Sequence, residues 1–417
     1  MRQESMGPAE NPPNGNGQPL ILFGAFDRHN FGDLLLGEVA KALASPRPVV
    51  FAGLAERDLS AYGGERVVSV ATLAHIWGDS PVTLLHVGGE LLTCSLYEAA
   101  IMLQSEEGAR AAIARLEFDP VAAYRWAVEQ LRVDQAIAYQ VAPELFSRFE
   151  FIAYLGVGGV ALGRLPDQAR RQVVARLQTA NHVWVRDAVT CRQLESYGVS
   201  SILAPDPAEL AACLFNDAAV SRGKTGEAAA VQERFPRGYL AVQFSADFGD
   251  DATLDEIGAS LLEIQRELEI GVVFFRAGGA PWHDRLDVYQ RLRERAPLLT
   301  AEVFHSLHLL DILSLLRHGC GFAGSSLHAR IVAEAHGHPA ASLVRENSTE
   351  ANPSKILAYV ESWNPVAADT VATAANLALA FRQAWSRRNE VALQACRRQA
   401  AVREAVADCL ARMGSPA

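Results

Sequence analysis

Residues Gly319–Pro339 read GCGFAGSSLHARIVAEAHGHP, and this stretch decides the fold class. Its apolar opening, closed by Gly324, predicts a short strand. Ser325 and Ser326 suit a helix N-cap, Ile331, Val332 and Ala335 share one helical face, and Gly337 with Pro339 ends the helix. A strand, a turn and a helix start present backbone N–H groups and the positive end of a helix dipole beyond the strand, where α/β proteins bind anions. His328 falls in the first helical turn. An ordinary connection with a histidine that caps or packs gives the same pattern, so both readings stay open here.

The rest of the chain repeats this alternation. Apolar runs at 20–23, 48–51, 67–70, 82–87, 151–155, 182–185 and 202–203, many closed by glycine, are separated by helical patterns. A second set follows at 239–244, 271–275, 302–304, 319–323 and 339–343. Strands that alternate with helices imply parallel sheets. The expected fold is therefore α/β: two doubly wound Rossmann-like domains facing a cleft, the GT-B-like arrangement, with a long C-terminal helix. The expected divisions are an unpacked leader at 1–19, an N-terminal α/β domain at 20–214 with a helical insertion near 91–149, and a linker at 215–238. A C-terminal α/β domain at 239–365 and a helical segment at 366–417 complete the chain.

Composition narrows the function. A formal charge of −10 over 417 residues argues against a nucleic-acid footprint, which needs a clustered basic surface. The six cysteines are scattered, without a C-x-x-C pair, so neither a zinc knuckle nor a disulfide framework is indicated, and no metal is expected. Neither a long apolar span nor a signal peptide is recognisable, so a cytoplasmic protein is expected, with contact at a membrane surface left open. G-x-G-x-x-G, the P-loop pattern and H-E-x-x-H are all absent, which removes the dinucleotide, P-loop and zinc-protease readings.

The remaining candidates lie at strand ends. Asn30-Phe31-Gly32-Asp33 turns out of the first strand; Asp33 is placed to orient or deprotonate a hydroxyl, or with Asn30 serves only as turn and cap. Gly88-Gly89-Glu90 and Gly156–Gly159 allow close ligand approach or simply make turns. Arg186 stands at the end of 182–185, placed either to clamp an anion or to pair with a nearby acid such as Asp187. His283-Asp284 follows another strand, although adjacent residues rarely face each other. His328 is the strongest acid–base candidate, because imidazole exchanges protons near neutral pH and this one stands where an anion should bind.

In order along the chain, several motifs together resemble the polysaccharide pyruvyl transferase family over about residues 20–343. They are Gly24 with Asn30-Phe31-Gly32-Asp33, His86-Val87-Gly88-Gly89, Val185-Arg186-Asp187, Asp206-Pro207-Ala208, and Gly324-Ser325-Ser326-Leu327-His328 leading to Gly337-His338-Pro339. The resemblance implies a GT-B-like transferase that moves the pyruvyl group of phosphoenolpyruvate, as a ketal, onto hydroxyls of a saccharide or lipid-linked saccharide during surface polysaccharide biosynthesis. It implies no cofactor beyond the donor substrate. His328 would protonate the donor and Arg186 would hold it, with Ser325, Ser326 and Arg330 as further donor-binding candidates. Asn30, Gly32, Gly88, Gly89, Glu90 and His283 would line the cleft or acceptor site. Two departures stand out: Ser326 occupies the position of the family's arginine, and Glu90 that of a third glycine. Arg330, two residues past His328, turns about 200° away from it along a helix. A GT-B nucleotide-sugar glycosyltransferase and a non-catalytic sugar- or anion-binding relative are the alternative readings.

Overall fold

The computed structural model describes residues 19–77, 79–345 and 354–414. The expected leader lies outside these residues except for Pro19. The first sheet is built from β1 (Leu20–Phe23), β2 (Val49–Gly53), β3 (Arg57–Asp58), β4 (Arg66–Ser69), β5 (Val82–Val87), β6 (Phe149–Val157), β7 (His182–Val185) and β8 (Ile202–Leu203). Their order is β3-β4-β2-β1-β5-β6-β7-β8, parallel except where β3 meets β4. The second sheet holds β9 (Tyr239–Gln243), β10 (Gly271–Phe274), β11 (Ala301–Val303), β12 (Gly321–Gly324), β13 (Ala340–Leu343) and β14 (Val371–Ala372). It is wholly parallel in the order β11-β10-β9-β12-β13-β14. The sequence pattern locates every strand except β3, whose Arg57–Asp58 pair is charged and exposed, and the two-residue β14.

Strands β1, β5, β7, β9, β10, β12 and β13 are buried along their whole length, as parallel strands covered on both faces must be. Helices on the outer faces close a separate core for each sheet, one around Leu84, Tyr139 and Val185 and one around Val242, Ile257 and Phe274. A third apolar cluster runs continuously from Leu20, Leu35 and Trp184 to Val273, Leu313 and Ile331, and so joins the two halves.

Each sheet reverses its winding once, between β1 and β5 in the first and between β9 and β12 in the second. A crevice opens at such a reversal, beyond the carboxyl ends of the strands. The two reversals face each other, and hydrogen bonds tie their loops. Phe31 N–H donates to the Ala277 carbonyl at 2.7 Å, and the His29 ring links the Leu307 carbonyl at 2.7 Å to the Gly279 N–H at 3.0 Å.

Residues expected to form a linker instead carry helices at Asn216–Arg222 and Gly226–Arg234, and Arg222 pairs with Asp311 on the helix Leu309–His318. The C-terminal pattern splits at Arg387: Leu377–Ser386 covers the second sheet, and the long helix Arg388–Gly414 crosses to the first. There Val406 and Cys409 pack beside Leu20 and Trp184. Arg398 on this helix donates to buried Glu209 of the first half at 2.6 Å and to Glu334 of the second at 3.0 Å. Burial raises the Glu209 carboxyl to about 7 despite the opposing charge of Arg398. Arg398→Met leaves Glu209 buried without its cation, while Glu334 keeps Arg330, so a loss of about 3–5 kcal/mol is expected in urea unfolding. The loss should be larger at pH 8 than at pH 6, because Glu209 takes up a proton as the pH falls; an equal loss at both pH values would contradict this account.

Candidate active site

The helix Leu327–Ala335 starts immediately after β12, and Ser326 caps it by accepting the Ala329 N–H at 3.2 Å. From the first turn, His328 reaches across to the other half of the molecule. Its Nε2 lies 3.4 Å from Arg186 Nη1 and 3.4 Å from Asp206 Oδ2. A donor and an acceptor at equal distance suit either protonation state: the neutral nitrogen accepts from Arg186, and the protonated one donates to Asp206. The ring rests against Gly32, where an added Cβ would come 1.9 Å from Nδ1. Glycine there makes room for the histidine.

Arg186 follows β7 and is only 2% exposed. It donates to Glu90 Oε1 at 2.7 Å and to Asp206 Oδ2 at 2.9 Å. Burial alone would lower the guanidinium pKa; the two carboxylates outweigh it and raise it. The pair with neighbouring Asp187 does not form, since Asp187 caps its own helix by accepting the Thr190 N–H at 2.7 Å. Gly89 and Gly158 make room for this arginine, a Cβ at either falling within 3.0 Å of its guanidinium. Gly88 abuts Leu91 instead. Asp206 is wholly buried, and burial raises its pKa; His328, Arg186 and the Ala208 N–H overcome that and hold it at about 2.

These groups border a cavity of about 320 Å³ whose walls include Asn30, Asp33, Gly89, Glu90, His283 and His328. Asn30 is the cap of helix Phe31–Ala44, accepting the N–H groups of Gly32 and Asp33 at 3.0 and 3.2 Å. Asp33 faces the cavity and lies 3.5 Å from Arg28 Nη2. His283 is not oriented by Asp284, whose carboxylate turns to the Ala277 N–H and the Gln243 amide. Burial, joined by the charges of Arg28 and Lys355, lowers the His283 pKa to about 3.

Three of the expected donor-binding residues are placed otherwise. Arg330 does not reach the cleft. It is buried on the far side of its helix against Ser342, Thr370 and Glu334, as its angular offset from His328 dictates. The Ser326 hydroxyl is the helix cap, and the Ser325 hydroxyl accepts the Ser245 N–H at 3.1 Å. The sequence reading also missed Arg28, Lys355 and Trp282 as cleft residues, and Asp206 as the histidine's partner. Asp206 had a visible signal in its Asp-Pro turn at a strand end. The others depend on loops brought together from distant parts of the chain.

Comparison with known proteins follows the same lines. No curated protein matches the chain. The structure resembles UDP-GlcNAc 2-epimerase from Neisseria meningitidis bound to UDP-GlcNAc, at 13% identity and TM-score 0.48, over 94% of this chain and 98% of that one. It also resembles UDP-GlcNAc 2-epimerase from Methanocaldococcus jannaschii, at 9% identity and TM-score 0.49, over 88% and 91%. For α,α-trehalose 6-phosphate synthase from Burkholderia multivorans the identity is 12% and the TM-score 0.46, over 95% and 96%. The family model described as polysaccharide pyruvyl transferase matches residues 154–347. That matched segment carries Arg186, Asp206 and His328.

Proposed function

We propose that the protein transfers the pyruvyl group of phosphoenolpyruvate onto two hydroxyls of a saccharide or lipid-linked saccharide, in the cytoplasm, as a step of surface polysaccharide biosynthesis. The observation that carries this reading is the placement of His328, which reaches from one half of the molecule into a cleft and meets Arg186 and Asp206 of the other. His328 delivers a proton to the methylene carbon of the donor, leaving positive charge on the adjacent carbon, shared with its oxygen. One saccharide hydroxyl adds to that carbon, and Asp33 is placed to receive its proton. The second hydroxyl displaces phosphate and closes the ketal. The proton taken by Asp33 passes to the departing phosphate, and the proton of the second hydroxyl restores His328. The Asp206 carboxylate stabilises the protonated ring, and Arg186, paired with Glu90 and Asp206, acts as a positioning residue.

Release of inorganic phosphate from phosphoenolpyruvate, assayed with a panel of saccharides as acceptors, tests this reading. His328→Ala is expected to lower turnover by at least about 100-fold with circular dichroism unchanged. Gly32→Ala pushes a methyl group into the ring and should lower turnover with a smaller effect on stability. Undiminished release by His328→Ala would remove the histidine from proton transfer.

The depressed Asp206 carboxyl also sets a pH signature. The folded pKa lies below the unfolded one, so the stability it supplies is complete above about pH 4 and is lost as the pH falls towards 2. Asp206→Asn should lower stability at pH 7 and flatten its decline between those pH values, as read by denaturant unfolding across that range.

A further inference from the structure

We infer that Lys355 forms, with Arg28, an anion subsite in the cleft that takes the phosphate or carboxylate of the donor, supplying the positive charge that Ser326 does not; this inference rests on the reading just proposed. Two other candidate cations are committed elsewhere. Arg186 is buried between Glu90 and Asp206, and Arg330 is buried on the far side of its helix. Arg28 lines the cavity but is held by Asp33 and by the Tyr139 ring and hydroxyl. Lys355 also lines the cavity, is exposed, and makes no hydrogen bond or ion pair among the described residues.

Its position carries a cost that a ligand removes. Lys355 is the first residue of the helix Lys355–Trp363, after the cap Ser354, and a cation at a helix start opposes the dipole. An anion beside the ammonium reverses the sign of that interaction. Lys355 and Arg28 both lie close enough to His283 that their charges, after burial, help keep its ring neutral. Asp33, Glu90 and Glu98 also line the cavity, and all three are engaged: Asp33 by Arg28, Glu90 by Arg186, and Glu98 by the Ser95 N–H and hydroxyl. An ammonium is a mobile point charge, suited to an anion that changes shape as the donor reacts.

Titration calorimetry with phosphoenolpyruvate and with inorganic phosphate, on the wild type, Lys355→Gln and Lys355→Arg, tests the subsite. The exposed lysine can be replaced without disturbing packing. The expected result is a loss of about tenfold or more in phosphoenolpyruvate affinity for Lys355→Gln, largely restored in Lys355→Arg. A parallel loss for inorganic phosphate assigns the lysine to the phosphoryl group, and an unchanged phosphate affinity assigns it to the carboxylate. If the wild type binds phosphate but not phosphoenolpyruvate, and Lys355→Gln loses the phosphate, the subsite stands and the donor assignment fails. Equal phosphoenolpyruvate binding by the wild type and Lys355→Gln overturns the subsite while leaving the donor assignment intact. Binding of neither ligand to the wild type overturns the subsite.

Discussion

A guanidinium buried between two carboxylates is the constraint on which the site depends. Arg186 has lost its water and is stable as a cation only because Glu90 and Asp206 sit at hydrogen-bond distance. Those contacts fix three separate pieces of the first half of the chain: the turn after β5, the end of β7 and the turn after β8. They also set the position of His328, whose ring meets the same carboxylate and the same guanidinium from the other half. Gly32, Gly89 and Gly158 follow from this arrangement, since side chains at those positions would occupy the space of the histidine, the arginine or its partner acid.

The same logic reaches beyond the cleft. Asp206 begins the turn that leads to Glu209, and Glu209 receives Arg398 from the long C-terminal helix as well as the Tyr359 hydroxyl. Arg398 continues to Glu334, on the helix that carries His328. His328 is therefore held from its front by Arg186 and Asp206 and from behind, through its helix, by the C-terminal segment. Arg330 belongs to this rear network, and its burial there explains why a cation so near His328 in sequence serves the scaffold.

Much of the fold was legible because buried parallel strands write themselves as short apolar runs, and the glycine turns after them mark the crevice. His328 was legible for the same reason: it follows a strand and a cap. The charge pairing was not. Glu90 looked like a misplaced glycine and proved to be the partner of Arg186, a relation between residues 96 positions apart. Lys355 and Trp282 carry no local signal, because only the approach of the two halves brings them to one cavity. The expected linker was helical because a run rich in alanine and charge, read as a boundary, packs against the helix Leu309–His318.

The cleft combines His328, its carboxylate partner Asp206 and the cations Arg28 and Lys355, and the proposed donor is small and highly charged. The central claim is the identity of that donor, and competition between ligands at equilibrium tests it most directly. Calorimetric titration of the full chain with phosphoenolpyruvate should give one site per chain, with binding unaffected by saturating UDP-GlcNAc. Binding of UDP-GlcNAc with no detectable binding of phosphoenolpyruvate would contradict the account.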